Sequence, residues 1–287
     1  MKRRKLRMTI PTHRVLEGGG FPVRRPAAMG QEMSPFLLLD EMGPVDWGPN
    51  EAIGAPAHPH RGFETVTYLL EGRMQHEDSA GNRGNLEPGD VQWMTAGRGV
   101  IHSELPHPEF LESGGRSHGF QIWVNLPAKD KMMAPRYQDI PATKIPQAVS
   151  QDGKVSARVL AGECLGVSAV IETVISITCI HLSIHPGGSI IQPIGVGENA
   201  MIYVFEGQVI ADESTVKEGQ LGILTDGEEV SLSVPEDAKG VTQMLILAGD
   251  PINEPIARYG PFVMNTNEEI RQAIIDYQNG TLTMEQE

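Results

Sequence analysis

The chain of 287 residues carries 37 acidic and 23 basic side chains, a formal net charge of −14, and 40% of its residues are hydrophobic. This composition is typical of a globular protein, and the excess of acid argues against direct nucleic-acid binding, which needs a basic surface. The length allows two ordinary hydrophobic cores. The 32 glycines and 21 prolines favour a loop-rich β protein over a helical bundle.

The N-terminal segment does not predict export or membrane insertion. Residues 1–7 are basic, but polar residues follow them where the apolar part of a secretion signal would stand. The most apolar stretch, residues 167–184, is rich in β-branched residues and contains charged or polar interruptions, so it predicts buried strands. Cys164 and Cys179 are too few for a disulfide framework. We expect a cytoplasmic protein without membrane contact.

An internal repeat predicts the architecture. The run YLLEGR at residues 68–73 recurs as YVFEGQ at residues 203–208, and EPG at residues 87–89 recurs as KEG at residues 217–219. In each copy a strand runs into a Glu-Gly turn, a hairpin returns and another strand follows. Two tandem β-barrels, an all-β fold, are the simplest product.

The proline-containing segment 127–146 lacks strand periodicity and separates the two copies. We therefore predict an N-terminal domain of residues 1–135 and a C-terminal domain of residues 136–287.

The clearest helix lies near the C-terminus. Thr266 and Glu269 have the spacing of a capping box, Ile270 and Ile274 fall on one face, and Gly280 marks the end. We expect this short helix to serve packing.

Two pairs of potential metal ligands lie in the first copy, His58 with His60 and His102 with Glu104. Residues i and i+2 of a strand point to the same face, so each pair presents two donors in one direction. If the two strands are neighbours, three imidazoles and one carboxylate converge and leave one side of a small cation open. We predict a metal site there, whereas the other histidines are read as ordinary core or surface residues.

Four motifs together carry a family resemblance. The runs HPHRGFETVTY at residues 58–68 and TAGRGVIHSE at residues 95–104, with PFLLLDE at residues 35–41 and YGPFVMNT at residues 259–266, resemble the pirin family of bicupins. The resemblance implies two tandem cupin barrels, of the double-stranded β-helix or jelly-roll type, followed by the short helix.

The resemblance also implies the ligand set and the metal. One divalent ion per chain, usually Fe2+, would be held in the first barrel by the residues that match His58, His60, His102 and Glu104. Nitrogen and oxygen donors suit Mn, Co, Ni, Cu or Zn as well, so the residues alone do not select the metal. Three histidines and one carboxylate leave coordination positions for O2 or a chelating substrate, unlike a closed structural zinc site.

The family suggests two functions. A quercetin 2,3-dioxygenase-like activity in bacterial members implies an enzyme that cleaves a flavonol, or a related enediol or phenolic substrate, with O2. The alternative, implied by eukaryotic members, is a non-catalytic iron-binding regulatory protein that modulates a partner protein. A metal-dependent isomerase or lyase on the same fold is a third option.

Two carboxylates compete for the same role. In cupins the carboxylate ligand generally comes from the position of Glu64. If one strand continued from His60, alternation of side chains would point Glu64 into the barrel, toward the histidines. We assign Glu104 as the ligand because it shares an i, i+2 pair with His102, and we interpret Glu64 as a hydrogen-bond acceptor next to the ligands or as a base. Either Glu104 or Glu64 could take the substrate proton in catalysis.

Residues near the ligand strands are candidates for the substrate pocket. Arg61 and Arg98 flank the ligand strands and could attract an anionic phenolate, but we expect both to be solvated surface charges. The candidates for flanking a planar ligand, each equally well explained by core packing, are Phe63, Trp93, Phe120 and Trp123.

The second copy acts as an internal control. The repeat offsets place the four ligand positions on Pro193, Gly195, Leu232 and Val234, whose side chains cannot bind a metal. We predict no metal site in the second barrel.

Overall fold

The computed structural model describes residues 2–27 and 30–284, and most of its regular structure is β. The strands of the first half are β1 (Leu6–Glu17), β2 (Phe21–Pro26), β3 (Phe36–Trp47), β4 (Ala55–His60), β5 (Phe63–Glu71), β6 (Met74–Asp78), β7 (Arg83–Leu86), β8 (Val91–Thr95), β9 (Val100–Pro106), β10 (Gly115–Asn125) and β11 (Arg136–Ile140). Those of the second half are β12 (Gln147–Val149), β13 (Val155–Ala161), β14 (Glu163–Cys164), β15 (Val167–Ser168), β16 (Ile177–Ile184), β17 (Ser189–Pro193), β18 (Asn199–Glu206), β19 (Gln208–Ala211), β20 (Ser214–Lys217), β21 (Gln220–Leu224), β22 (Glu229–Ser233), β23 (Thr242–Gly249), β24 (Ala257–Tyr259) and β25 (Phe262–Met264). The α-helices are α1 (Pro108–Ser113) and α2 (Asn267–Gln278).

The chain forms two compact units, which we call barrel A and barrel B. Barrel A contains residues 14–25, 36–142 and 252–284, and barrel B contains residues 2–13, 26–27, 30–35 and 143–251. Each unit takes segments from both sides of position 135, where the sequence predicts a single boundary. Strand pairing is the reason, because residues 6–11 of β1 pair with β21 inside barrel B.

Barrel A consists of two antiparallel sheets, with strand orders β11-β8-β5-β10-β3-β2 and β4-β9-β6-β7. In the first sheet β5 pairs with β8 in continuous register from Glu64 to Tyr68. Successive side chains therefore alternate between its two faces. The face that carries Thr67 points to the second sheet, since the Thr67 hydroxyl donates to Glu104 in β9.

Barrel B repeats this arrangement with the orders β12-β13-β16-β23-β18-β21-β1 and β17-β22-β19-β20. The repeated turns are equivalent: Gly72 after β5 has φ +91° and Gly207 after β18 has φ +78°, a region that favours glycine. Branched aliphatic side chains such as Ile190, Ile202 and Leu232 fill the interior of barrel B. The prediction of an all-β fold with two barrels is confirmed.

The predicted C-terminal helix is confirmed as α2. The Thr266 hydroxyl accepts a hydrogen bond from the Glu269 N–H, and the Glu269 carboxylate accepts one from the Thr266 N–H, which completes the capping box. The buried face of α2 carries Ile270 and Ala273, and also the carboxylate residue Asp276. Within residues 2–27 and 30–284, no helix combines the length and apolar character needed to cross a membrane.

Candidate metal centre

Strands β4 and β9 bring three of the predicted ligands together. The strands are antiparallel, with His58 opposite His102 and His60 opposite Val100. The potential ligand atoms of His58, His60 and His102 all lie within 4.8 Å of one another. The i, i+2 spacing in β4 and the pairing across to β9 together produce this group.

The protonation of two of the histidines and the hydrogen bonding of the third suit metal binding. The Pro56 carbonyl lies 2.8 Å from His58 Nδ1 and can only accept a hydrogen bond, so Nδ1 is the donor and Nε2 is the nitrogen available to a metal. Burial holds the pKa of His60 and of His102 well below the usual range, and the neighbouring imidazoles lower both further. Neither buried ring nitrogen of His102 has a hydrogen-bond partner within the described residues. Neutral imidazoles with unused nitrogens are the donor set that a divalent metal requires.

Glu104 lies in the same strand as His102 but outside the three-histidine group. It stands opposite Ala55 in the register of β4 and β9, and only 9% of it is exposed. Its Oε1 accepts a hydrogen bond from the Thr67 hydroxyl at 2.8 Å. Glu104 also lines the cavity next to His58 and His60. Its assignment as the fourth ligand stays a prediction.

Glu64 lies on the opposite face of β5 from Thr67, so the prediction that strand parity turns it inward is wrong. β4 ends at His60 and β5 begins at Phe63, and Gly62 between them has φ +90°, so the alternation of β4 does not continue into β5. The Glu64 Oε1 accepts a hydrogen bond from the Thr95 hydroxyl at 2.7 Å. Burial raises the pKa of Glu64, and the bond to Thr95 opposes the rise.

A cavity of about 610 Å3 adjoins the histidines. Its walls include His58, His60 and Glu104, together with apolar residues from β3 and the aromatic ring of Trp123. The guanidinium of Arg258 lies 4.6 Å from the centre of the Trp123 ring, a cation–π arrangement. This volume falls inside the range of about 300–1,000 Å3 that is typical of small-molecule sites.

Comparison with known proteins identifies the family. A family profile described as "Pirin" matches residues 20–124, and one described as "Pirin C-terminal cupin domain" matches residues 179–283. Pirin of Homo sapiens is 38% identical over 283 residues, which are 96% of this chain and 93% of the human protein. The chain belongs to the pirin family.

Two further relatives match this chain over nearly its full length. A pirin-like protein of Solanum lycopersicum is 43% identical over 269 residues, 92% of this chain and 88% of the tomato protein. A crystal structure described as quercetin 2,3-dioxygenase from Acinetobacter baumannii is 39% identical, covers 98% of both chains and superposes with a TM-score of 0.92. The two-cupin architecture is thereby confirmed for this pirin-family chain.

The four aromatic residues predicted to line the pocket lie on two different faces of the sheet. Phe63 and Trp123 contact the His60 ring, at 5.1 and 5.5 Å between ring centres. Trp93 pairs with Val66 and Phe120 pairs with Tyr68, so both lie on the Glu64 side of the sheet. These two are buried core residues away from the histidines.

Three residues that lie near the histidines are absent from the sequence predictions. Arg258 comes from β24, far along the chain, and nothing in its local sequence marks it. His76 in β6 is among the histidines that the sequence predicts to be ordinary core or surface residues, and its buried ring lies 5.3 Å from that of His102. Tyr137 lies 5.0 Å from His76 on the other side, and burial raises its pKa.

The prediction that Arg61 is a solvated charge is wrong. Only 2% of Arg61 is exposed, and its guanidinium donates to the Asp276 carboxylate at 2.6 Å. The partner lies more than 200 positions away, so no local pattern could indicate it.

Proposed function

We propose that this pirin-family protein is a metal-dependent dioxygenase that cleaves a flavonol, or a related enediol or phenolic substrate, with O2. The observation that carries the proposal is the group of His58, His60 and His102, with ligand atoms within 4.8 Å of one another, beside the 610 Å3 cavity. The description of the Acinetobacter relative as a quercetin 2,3-dioxygenase supports the same activity.

The donor set supports one divalent ion per chain, which we take to be Fe2+, held by His58, His60, His102 and Glu104. A metal bound there would supply Lewis acidity toward the chelating oxygens of the substrate and redox reactivity toward O2. Mn, Co, Ni, Cu or Zn would suit the same donors.

The surrounding residues have defined tasks in this proposal. Glu104 accepts the proton of the substrate hydroxyl, and the Thr67 hydroxyl, 2.8 Å from its Oε1, fixes the carboxylate. The Pro56 carbonyl holds the His58 ring in one tautomer. Trp123, beside His60, forms an aromatic wall for a planar substrate and excludes water.

Glu64 has no direct contact with substrate in this proposal. Its carboxylate faces Thr95, on the other side of β5 from the Thr67 hydroxyl. We assign it the role of a hydrogen-bond acceptor within the sheet.

The test is O2 uptake by the Fe2+-loaded protein with a panel of flavonols that includes quercetin. We expect uptake from the wild type and none from His102→Ala, which removes one ligand. His185→Ala, an exposed histidine of barrel B, is the matched control and should behave as the wild type. Iron binding without uptake on any flavonol would reject flavonol cleavage and favour the iron-binding regulatory alternative, which acts on a partner protein.

A further inference from the structure

The chain turns a corner directly after a proposed metal ligand. His60 ends β4, Phe63 begins β5, and Arg61 and Gly62 form the corner between them. A Cβ atom on Gly62 would lie 2.0 Å from the Val263 carbonyl oxygen, so the corner is in close contact with β25. The Arg61 N–H donates to the Pro261 carbonyl, and the Val263 N–H donates to the Arg61 carbonyl at 3.1 Å. The C-terminal segment therefore sets where this corner lies.

The Arg61 side chain connects the corner to α2 and to the loop before β9. Its Nη1 donates to Asp276 Oδ2 at 2.6 Å, its Nη2 to the Leu282 carbonyl at 3.1 Å, and its Nε to the Arg98 carbonyl. Asp276 lies in α2, and Leu282 lies just beyond the helix. Asp276 is the only carboxylate that pairs with Arg61 within the described part of the chain. Removal of one partner of a buried ion pair leaves the other charge uncompensated.

Lys131 connects the same corner to β25 by a second route. Its ammonium donates to the carbonyl of Gly62 at 2.7 Å, to Asn125 Oδ1 at 2.6 Å and to the carbonyl of Val263 at 3.1 Å. The side chain is 1% exposed, and burial lowers its pKa to about 8. Its three donors are matched by three acceptors, so the corner and β25 are held as one unit.

The loop between β8 and β9, which leads to His102, also contacts the C-terminal segment. A Cβ atom on Gly99 would lie 2.4 Å from the Leu282 carbonyl oxygen. The Gly62 N–H donates to the Gly97 carbonyl at 2.8 Å, which ties this loop to the corner. Val100, which follows the loop, pairs with His60 in the register of β4 and β9. The C-terminal segment thus touches both backbone segments that lead to the histidines.

We propose that residues 261–282 are a positioning element of the metal centre, and that Asp276 is its key positioning residue. Through Arg61, Asp276 holds the corner after His60 and the loop that leads to His102. Asp276 itself contacts no ligand. The inference rests on the proposed binding of a metal by His58, His60 and His102, but it does not depend on catalytic turnover.

The test compares Co2+ affinity and the Co2+ absorption spectrum in the full-length protein and two variants. Asp276→Asn removes the charge that faces Arg61 and should weaken Co2+ binding, by less than the roughly tenfold or more that follows when a group bonded directly to a metal ligand is lost, because Asp276 acts through Arg61. The matched control is Glu268→Gln, which removes an exposed carboxylate of the same helix whose ion pair with Arg271 lies at the surface. Its Co2+ affinity and spectrum should equal those of the wild type.

A milder variant covers the case in which Asp276→Asn does not fold. Gln272 donates to Asp276 Oδ1 at 2.7 Å, so Gln272→Ala loosens Asp276 while the Arg61 pair remains. We expect a smaller loss of Co2+ affinity in the same direction. The thermal midpoint of each metal-free protein is measured in parallel, because a merely structural role would lower it without changing the dissociation constant for Co2+.

The outcomes separate the two proposals. Failure of the wild type to bind Co2+ rejects the metal centre itself. Wild-type binding together with unchanged Co2+ affinity in Asp276→Asn, or in Gln272→Ala if the first variant is unfolded, rejects the positioning role alone. Weaker binding with an altered spectrum in these variants, but not in Glu268→Gln, supports it.

Discussion

At the scale of single residues, the two candidate carboxylates differ in what surrounds them. Glu104 lies beside the histidines, lines the cavity and has one oxygen fixed by the Thr67 hydroxyl. Glu64 is fully buried on the other face of β5, where the Thr95 hydroxyl donates to it. Both carboxylates are close to the histidine ligands in sequence, but of the two only Glu104 lies on the side of its sheet that faces them.

We predict that Glu104→Gln weakens metal binding by about tenfold or more and abolishes O2 uptake, because the amide is neutral and is a poor base. Metal titration and O2 uptake measure the two effects. Glu64→Gln is the matched substitution and should keep the wild-type metal affinity. The reverse result, with the ion lost from Glu64→Gln and kept by Glu104→Gln, would show that Glu64 is the ligand.

The raised pKa of Glu64 gives a second prediction. Burial favours its protonated form, so between its ordinary pKa of 4.5 and the raised value the folded state binds more protons than the unfolded state. The ionisation of Glu64 therefore lowers the free energy of unfolding of the wild type as the pH rises. Glu64→Gln does not titrate, so its free energy of unfolding relative to wild type should increase from pH 4.5 toward neutrality.

Urea unfolding of the wild type and Glu64→Gln at a series of pH values measures this difference. A relative free energy for Glu64→Gln that declines with rising pH would show that the ionised carboxylate is stabilised in the fold.

At the scale of secondary-structure elements, the corner between β4 and β5 decides which side chains face the site. Gly62 combines φ +90° with a close approach to the Val263 carbonyl oxygen. Gly81, in the turn between β6 and β7, has a similar φ of +87°, but no atom lies within 4 Å of the position that its Cβ would take. Substitution of each glycine therefore distinguishes the cost of backbone strain, which both positions share, from the cost of steric contact, which only Gly62 has of these two.

We predict that Gly81→Ala lowers the free energy of unfolding by about 1 kcal/mol, from the left-handed conformation alone. Gly62→Ala should cost about 3 kcal/mol or more, because the methyl group also collides with β25. Urea unfolding of both variants measures the difference. Equal costs would mean that β25 moves aside freely, which would also weaken the case for a C-terminal positioning element.

At the scale of the whole molecule, the two barrels share a topology but differ in what fills them. Barrel A carries three histidines beside a cavity, whereas a continuous cluster of buried aliphatic side chains occupies the interior of barrel B. Leu232 and Val234, the residues of barrel B that correspond to His102 and Glu104 in the repeat, belong to this cluster.

We therefore predict one tightly bound metal per chain, measured by elemental analysis of the purified protein. His58→Ala and His102→Ala should lose the metal yet keep the far-ultraviolet circular dichroism of the wild type, because apolar packing holds the barrels together. Two tightly bound ions per chain would contradict the assignment to barrel A. An unfolded His58→Ala protein would show instead that the metal is needed for folding.

Features with a local cause were predictable from the sequence. The alternation of side chains along a strand places His58 and His60 on one face, and the capping box marks the start of α2. The repeated Glu-Gly turns indicate two barrels because a turn with positive φ requires glycine wherever it occurs.

Only the tertiary structure decided the features that depend on distant register. The corner at Gly62 reverses the expected direction of Glu64, and the pairing of β1 with β21 places residues 6–11 in barrel B. Arg61 is buried because Asp276, far away in the chain, neutralises its charge. Local periodicity ends at each loop, and the side chain that a residue meets beyond the loop is set by packing of the whole fold.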